Sequence, residues 1–372
     1  MNPARILIVD DQAAMLRSVE RILGEYLVRS STSSKEAVAL AKAFKPHLAI
    51  VDIRMPEMDG FELMNALKRQ DENIQVILMT GSVYDVDEQL IRAIREKAFY
   101  YINKPFDREV LRTLVQRCVE HQTLQEINRK HLEHLEHQLA EARIFQETML
   151  PAKEAILEGV EIHAAYRPSV ELAGDLYDYV AVGEGRVALL IADVVGHGVS
   201  AAMLTGLVKS AFRSSHVEQY HPLNVVERVA EAIAAFRANR FVTLLCLRIS
   251  VPEQTVEYVN AGHDGGLILT PDRTCVPLQP TGPMISPLSR HLEWKQETMK
   301  YLPKSLVLLY SDGISETSDG DDWFGVDRIH SIVQNNPTGR TELLNAILGE
   351  VEAFSTKRRA ADDMTLLTAR YA

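Results

Sequence analysis

Residues 107–150 contain neither glycine nor proline, and Pro151 ends the run. With nothing to break or loosen helical geometry, the stretch is expected to form one long helix. Positions 111, 114, 118, 121, 125, 128, 132, 135, 139, 142, 146 and 149 keep an unbroken 3-4 spacing along it. They read Leu111, Leu114 and Cys118, then His121, Gln125 and Asn128, then Leu132, Leu135, Leu139, Ala142, Gln146 and Met149. Apolar ends around a polar middle describe a parallel coiled coil whose central layers weaken the pairing and set its register. A homodimer through this helix is the expectation; a lone amphipathic helix packed on its own domains is the alternative. His131, His134 and His137, three apart, read as a solvated helix face rather than a metal site. The segments before and after the helix are each long enough for a domain with its own core.

Charge and composition narrow the function. The net charge is −11, which disfavours binding to a nucleic-acid backbone. Cys118, Cys246 and Cys275 lie far apart, so neither structural disulfides nor a cysteine zinc site is expected, as suits a reducing cytoplasm. The N-terminus passes directly into a strand pattern, without the charged leader and apolar core of a signal peptide. No apolar run approaches the roughly 20 residues of a membrane helix.

Over the first ~120 residues, short apolar runs alternate with amphipathic segments. Strands are expected at 5–10, 27–31, 47–52, 75–80 and 99–103, and helices at 12–24, 34–44, 60–68 and 87–96. This order describes a doubly wound, five-stranded parallel sheet of the flavodoxin-like kind, with its crevice at the carboxyl ends of the strands. Asp10, Asp11, Asp52, Thr80 and Lys104 fall there. Carboxylates ~4 Å apart repel by about 4 kcal/mol per pair at an effective dielectric near 20. Such a cluster persists around a hard cation, and oxygen ligands alone point to Mg²⁺. VDD at 9–11, VDIRMPEMDG at 51–60, MTGS at 79–82 and YINKPF at 101–106 resemble the receiver domain of bacterial two-component response regulators. The resemblance implies that Asp52 accepts a phosphoryl group from a sensor histidine kinase. It further implies that Asp10, Asp11, Asp52 and the Arg54 carbonyl hold Mg²⁺. Lys104 and Thr80 would contact the acyl phosphate, and Tyr101 would be the aromatic switch. Gly81 stands where such domains usually carry alanine, a departure bearing on phosphoryl lifetime.

After Pro151 the pattern changes. Strands are expected at 161–166, 177–182, 187–192, 241–249, 255–261, 267–270, 292–298, 306–311 and 364–370, with helices at 199–215, 222–238 and 341–355. Strand runs with interspersed helices indicate an α+β sandwich. The apolar run 187–192 delivers Asp193, Gly196 and Gly198 bend the backbone around it, and a helix begins near Val199. Three more acidic motifs lie at strand ends or turns: AGDLYD at 173–178, YSDGISE at 310–316 and ADDMT at 361–365. Asp side chains with a carbonyl and waters select Mg²⁺ or Mn²⁺ over zinc. Two such ions sharing a carboxylate hydrolyse a phosphoester without a protein nucleophile. No G-x-S-x-G elbow or cysteine phosphatase loop is present.

These motifs, with FQETMLP at 145–151, FVTLL at 241–245, NAGHD at 260–264 and WFG at 323–325, resemble the PPM family of metal-dependent Ser/Thr protein phosphatases. The similarity is greatest to its bacterial sporulation and stress-response branch. The resemblance implies two Mn²⁺ or Mg²⁺ ions bridged by Asp193. The Val194 carbonyl, Asp312 and Asp362 would be further ligands, with Asp175 first and Asp178 second choice for the remaining one. AGD in place of a double glycine, Val195 where serine is common, and GHDGG without proline depart from the pattern without removing a ligand. His197 and His263 are read either as phosphate neighbours or as loop-packing residues, and Asp363 as a group behind the ligands. The expected layout is a receiver at 1–120, a coiled-coil linker at 107–150 and a phosphatase domain at 151–372. Phosphorylation of Asp52 would then control dephosphorylation of a STAS-type anti-sigma-factor antagonist, in the cytoplasm and without nucleic acid or membrane. The alternatives are a catalytically silent adaptor that binds its partner and a DNA-binding regulator, the latter opposed by the acidic charge.

Overall fold

The computed structural model describes residues 3–81, 98–196, 198–236, 240–289, 292–336, 338–355 and 362–371. The chain divides into two compact units, Met1–Leu135 and Glu136–Ala372. In the first, strands β1 (Arg5–Val9), β2 (Leu27–Ser31), β3 (Leu48–Asp52), β4 (Gln75–Thr80) and β5 (Tyr100–Asn103) form one sheet in the order β2-β1-β3-β4-β5. Every pairing is parallel. Helices α1 (Ala13–Ile22), α2 (Ser34–Phe44) and α3 (Gly60–Gln70) connect these strands. One face packs α2 and α3 against Leu7, Val9, Ala49, Val51, Val76 and Leu78. The other packs α1 against Ile6, Ile8, Ile50 and Ile77. This is the doubly wound layout, and near-continuous apolar strands are what burial on both faces requires. The Asp59 carboxylate accepts from the Glu62 N–H at 2.7 Å while Glu62 accepts from the Asp59 N–H at 3.0 Å. That capping box fixes the turn after β3. The helix expected at 87–96 lies outside the described residues.

Helix α4 runs unbroken from Arg108 to Met149. Its start belongs to the first unit, where Leu111, Leu114 and Cys118 are buried in the same cluster as α1. Gln122 Nε2 adds donations to the His47 and Asn73 carbonyls at 2.6 and 3.0 Å. Near its end Gln146 is buried inside the second unit. The 3-4 register therefore does not mark a single seam over its whole length, since its first residues serve the first unit's core and Gln146 near its end is buried in the second unit. Within the chain, Leu132 and Leu135 remain 60% and 54% exposed. Apolar spacing alone does not distinguish a partner's helix from the helix's own domain.

The second unit is a sandwich of two antiparallel sheets. The first contains β8 (Asp175–Gly183), β9 (Arg186–Val194), β10 (Val242–Ser250), β11 (Thr255–Ala261) and β14 (Glu297–Lys300), in the order β14-β11-β10-β9-β8. The second contains β6 (Glu154–Leu157), β7 (Val160–Arg167), β12 (Gly266–Leu269), β13 (Cys275–Pro277), β15 (Leu306–Tyr310) and β16 (Met364–Tyr371), in the order β13-β12-β15-β16-β7-β6. Tyr177, Leu189, Ile191, Leu245 and Leu247 of one sheet meet Ile162, Val307, Leu309 and Leu367 of the other between them. The alternate residues Leu176, Leu190, Ala192 and Leu244 face helices α5 (Val199–Ser214) and α6 (Pro222–Ala235). On the outer side of the second sheet pack α8 (Gly325–Asn335) and α9 (Thr341–Phe354), after the single turn α7 (Asp312–Ser315). β6, β13, α7 and α8 have no counterpart among the expected elements, although Ile329 and Val333 of α8 are buried at helical spacing. The strand expected at 292–298 is displaced to Glu297–Lys300. Trp294 is buried in the loop before it, with Nε1 donating to the Pro283 carbonyl at 2.8 Å.

Candidate functional site

Two groups of acids stand at strand ends, one in each unit. In the first, Asp10 follows β1, Asp52 ends β3, Thr80 ends β4 and Lys104 follows β5, so parallel strands bring them to one sheet edge. Among the described residues, Asp10, Asp11 and Asp52 are the one set of three possible ligands whose donor atoms lie within 4.8 Å of one another. Lys104 Nζ lies 2.5 Å from Asp10 Oδ2 and 3.0 Å from Asp52 Oδ1. Burial raises the Asp52 carboxyl, the Lys104 ammonium opposes it, and Asp10 and Asp11 raise it further. Burial also raises the Tyr101 phenol, against a hydrogen bond with Thr80. Arg54 is exposed in the turn just beyond Asp52. Three oxygen donors gathered at one sheet edge fit a hard divalent ion.

The second group draws on both sheets. Asp175 and Asp193 are register partners across β8 and β9 and therefore share a face. By strand alternation it is the face of Tyr177 and Ile191, turned toward the other sheet. Like charges directly opposite one another destabilise a strand pair, so the arrangement calls for a cation. From the second sheet, Thr365 Oγ1 of β16 donates to Asp175 Oδ2 at 2.6 Å. Asp312 opens α7 directly after β15, and Asp362 precedes β16. Burial, then Asp193, push Asp175 well above the carboxylate range, with Ser311 and Thr365 opposing. Burial, then Asp312, Asp362 and Asp363, push Asp193 up to about 7. Burial, then Asp362 and Glu316, push Asp312 up to about 6. One buried and two half-buried acids whose carboxyls are raised by their neighbours fit a site for cations, and all-oxygen donors suit Mg²⁺ or Mn²⁺.

The backbone around these acids is tight. Gly196 and Gly198 adopt φ of +93° and +85° before α5 begins at Val199. A Cβ on Gly174 would stand 2.6 Å from the Val194 carbonyl oxygen, so only glycine lets these loops meet. Asp363 lies behind the cluster. Its carboxylate accepts from the Ser169 N–H at 2.7 Å, the Ser169 hydroxyl at 3.0 Å and the Gly174 N–H at 2.7 Å.

Asp178 is not brought to this group. Three residues from Asp175, it points to the opposite face of β8, where Lys209 Nζ is 2.8 Å away and Arg213 Nη2 2.5 Å. Both of its oxygens are engaged there, so as second choice for a ligand it is corrected to a buried ion pair with α5. His263 is likewise a packing residue. Nε2 faces the Tyr310 carbonyl at 3.1 Å and Nδ1 the Thr243 hydroxyl at 2.9 Å, so Nε2–H donates and Nδ1 accepts. Burial lowers this imidazole to about 4. His197 lies outside the described residues. Thr365 emerges as a site residue only in the fold, although it shares a strand face with Leu367 and Ala369, which line the space between the sheets. Gln146 shows in the sequence only as a polar residue in an apolar register.

Comparison with known proteins adds two family matches. Residues 183–372 match the model for Stage II sporulation protein E, and residues 6–116 match the response regulator receiver domain. The phosphoserine phosphatase RsbP of Bacillus subtilis is 30% identical over 47% of this chain and 44% of its own length. Phosphoserine phosphatase RsbU of the same organism is 27% identical over 53% of this chain and 58% of its own length. The chain spans about half the length of the curated relatives it matches. Among solved structures, the SiaA-PP2C domain of Pseudomonas aeruginosa superposes with a TM-score of 0.57 at 17% identity, over 65% of this chain and 99% of that one. At that identity the likeness concerns the fold. No helix among the described residues is long and apolar enough to cross a membrane.

Proposed function

This chain belongs to the Stage II sporulation protein E family and carries a receiver domain at residues 6–116, and from that premise we propose a response regulator whose output is a metal-dependent protein serine/threonine phosphatase. The observation that carries the reading is the cross-strand pair Asp175–Asp193, facing Asp312 and Asp362 from the opposite sheet. Asp193 would bridge two Mn²⁺ or Mg²⁺ ions, with Asp175, the Val194 carbonyl, Asp312 and Asp362 completing the set. Bound there, divalent ions supply an ionised water and a positive clamp on phosphoryl oxygens. The protein's own part is to gather four acids from both sheets around a tight backbone, with Thr365 fixing Asp175 and Asp363 fixing the loop before it. His263, neutral and bonded at both nitrogens, takes no proton in this scheme.

In the receiver, Asp52 accepts a phosphoryl group from a sensor histidine kinase, with Mg²⁺ held by Asp10, Asp11, Asp52 and the Arg54 carbonyl. Lys104 neutralises the incoming charge, Thr80 bonds the phosphoryl oxygen, and Tyr101 follows Thr80 as the switch. The exposed middle of α4, around Leu132 and Leu135, pairs with a second copy. The substrate is a phosphoserine or phosphothreonine on a STAS-type anti-sigma-factor antagonist in the cytoplasm; the similarity to the phosphoserine phosphatases RsbP and RsbU supports the phosphoserine part of this reading.

The test is hydrolysis of para-nitrophenyl phosphate with and without Mn²⁺, for wild type and Asp193→Ala, each with and without beryllofluoride. Metal-dependent turnover that is lost in the variant and altered by beryllofluoride is expected. If neither this ester nor a phosphorylated STAS protein is hydrolysed, the chain works by binding alone.

A further inference from the structure

The segment that leads into Asp175, residues 169–174, is held by side chains from elsewhere in the second unit. Asp363 holds its two ends through Ser169 and Gly174. Between them, Ala173 is fully buried and its peptide groups meet a single side chain, that of Gln146 in α4. Gln146 Oε1 accepts from the Ala173 N–H at 3.1 Å, and Nε2 donates to the Ala173 carbonyl at 2.8 Å. The second hydrogen on Nε2 reaches Thr205 Oγ1 of α5 at 3.3 Å. One amide thus pairs with both backbone groups of one residue, as a neighbouring strand would.

The choice of side chain at this position is informative. Ile144 and Phe145 beside it are 63% and 67% exposed, whereas Gln146 is 6% exposed. Here the helix turns a polar residue inward and leaves its apolar neighbours in solvent, the reverse of ordinary amphipathic packing. Only a primary amide offers an acceptor and two donors in one plane at this reach. Glutamate would keep the acceptor for the Ala173 N–H and set an oxygen against its carbonyl. From Ala173 the chain passes to Gly174, whose carbonyl accepts from the Val194 N–H at 3.1 Å, and then to Asp175 opposite Asp193.

We propose that Gln146 is a positioning residue for the acidic cluster: by clamping the Ala173 peptide it sets where the Asp175 carboxylate stands relative to Asp193. This deepens the phosphatase reading and rests on it. The contact lies near the end of α4, inside the second unit.

The full-length chain is compared with Gln146→Ala and Gln146→Glu in two measurements. In the first, Mn²⁺ is titrated into para-nitrophenyl phosphate hydrolysis. Loss of a side chain that orients a ligand typically weakens metal binding by about 10- to 100-fold. The half-activating Mn²⁺ concentration should rise by at least about tenfold in both variants, with KM for the ester unchanged and kcat recovered at saturating Mn²⁺. In the second, hydrogen exchange is followed on the metal-free protein. The Ala173 amide should exchange faster in Gln146→Ala, which removes its acceptor, while those of β7 and β16 keep the wild-type rate in both variants. A merely structural role would speed exchange across both sheets and lower kcat without moving the Mn²⁺ requirement, and that result overturns the proposal. So does an unchanged Mn²⁺ requirement with unchanged exchange at Ala173 in Gln146→Ala. No Mn²⁺-dependent turnover by the wild type overturns the phosphatase reading itself, and with it the positioning role of Gln146.

Discussion

Replacing Asp193 by asparagine should make the metal-free protein more stable while abolishing hydrolysis. Burial and the neighbouring Asp312, Asp362 and Asp363 hold the Asp193 carboxyl at about 7 instead of 3.8. A displacement of that size penalises the charged form by about 4 kcal/mol. Because Asp193 is partly open to water, about 2–4 kcal/mol is expected in practice. The sign follows from the raised folded value. Below about pH 4 the group is protonated in both states and costs nothing. The penalty then grows as pH rises and is complete above about 7. Without metal, Asp193→Asn should therefore exceed wild type by about 2–4 kcal/mol at pH 8 and by about 1–2 kcal/mol at pH 5. Urea unfolding in EDTA measures this, with tryptophan fluorescence as the signal. Trp294 is buried and both tryptophans lie in the second unit, so the signal reports the relevant domain. Added Mn²⁺ should stabilise wild type and leave the variant unchanged, reversing the order. A variant less stable than wild type at pH 8, or a difference independent of pH, would refute the picture of mutually repelling acids.

Three other outcomes follow from the same geometry. Asp178→Asn should lower stability by about 2–4 kcal/mol, because it leaves Lys209 and Arg213 facing each other without their anion. Calorimetry should show that loss while Mn²⁺-dependent hydrolysis persists below the melting transition; abolished hydrolysis in a folded variant would return Asp178 to the site. Lys104→Met should raise the Asp52 carboxyl further, since burial, Asp10 and Asp11 then act unopposed. Carbon-13 carboxyl titration would read an upward move, and acetyl phosphate labelling should fall by more than about tenfold. His263→Phe should cost about 1–3 kcal/mol by stripping partners from the Thr243 hydroxyl and the Tyr310 carbonyl. Because His263 is neutral when folded, its contribution is present above pH 6.5 and fades as pH falls toward about 4. The variant should therefore show weaker acid destabilisation than wild type, and an equal acid response in both would contradict that account.

The sequence by itself determined whatever depends on local periodicity. Buried runs such as 48–52 and 187–192 had to be strands, and a residue after such a run had to stand at a sheet edge. That placed Asp10, Asp52 and Asp193 at strand ends, and the stretch without glycine or proline dictated α4. Period-two alternation also separates Asp175 from Asp178, because three residues apart on a strand means opposite faces. What alternation does not contain is the identity of what lies across each face. Only the tertiary structure decided that Asp175 opposes Asp193, that Thr365 reaches Asp175 from the other sheet, and that Asp178 meets Lys209 and Arg213. Only the fold decided that the first apolar residues of the α4 register serve the first unit's core, and that Gln146 meets Ala173. Spacing along a chain is set by backbone geometry within a few residues. Partners across a sheet or beneath a helix are set by pairings between segments tens to hundreds of residues apart, as Gln146 with Ala173 and Asp175 with Thr365 show.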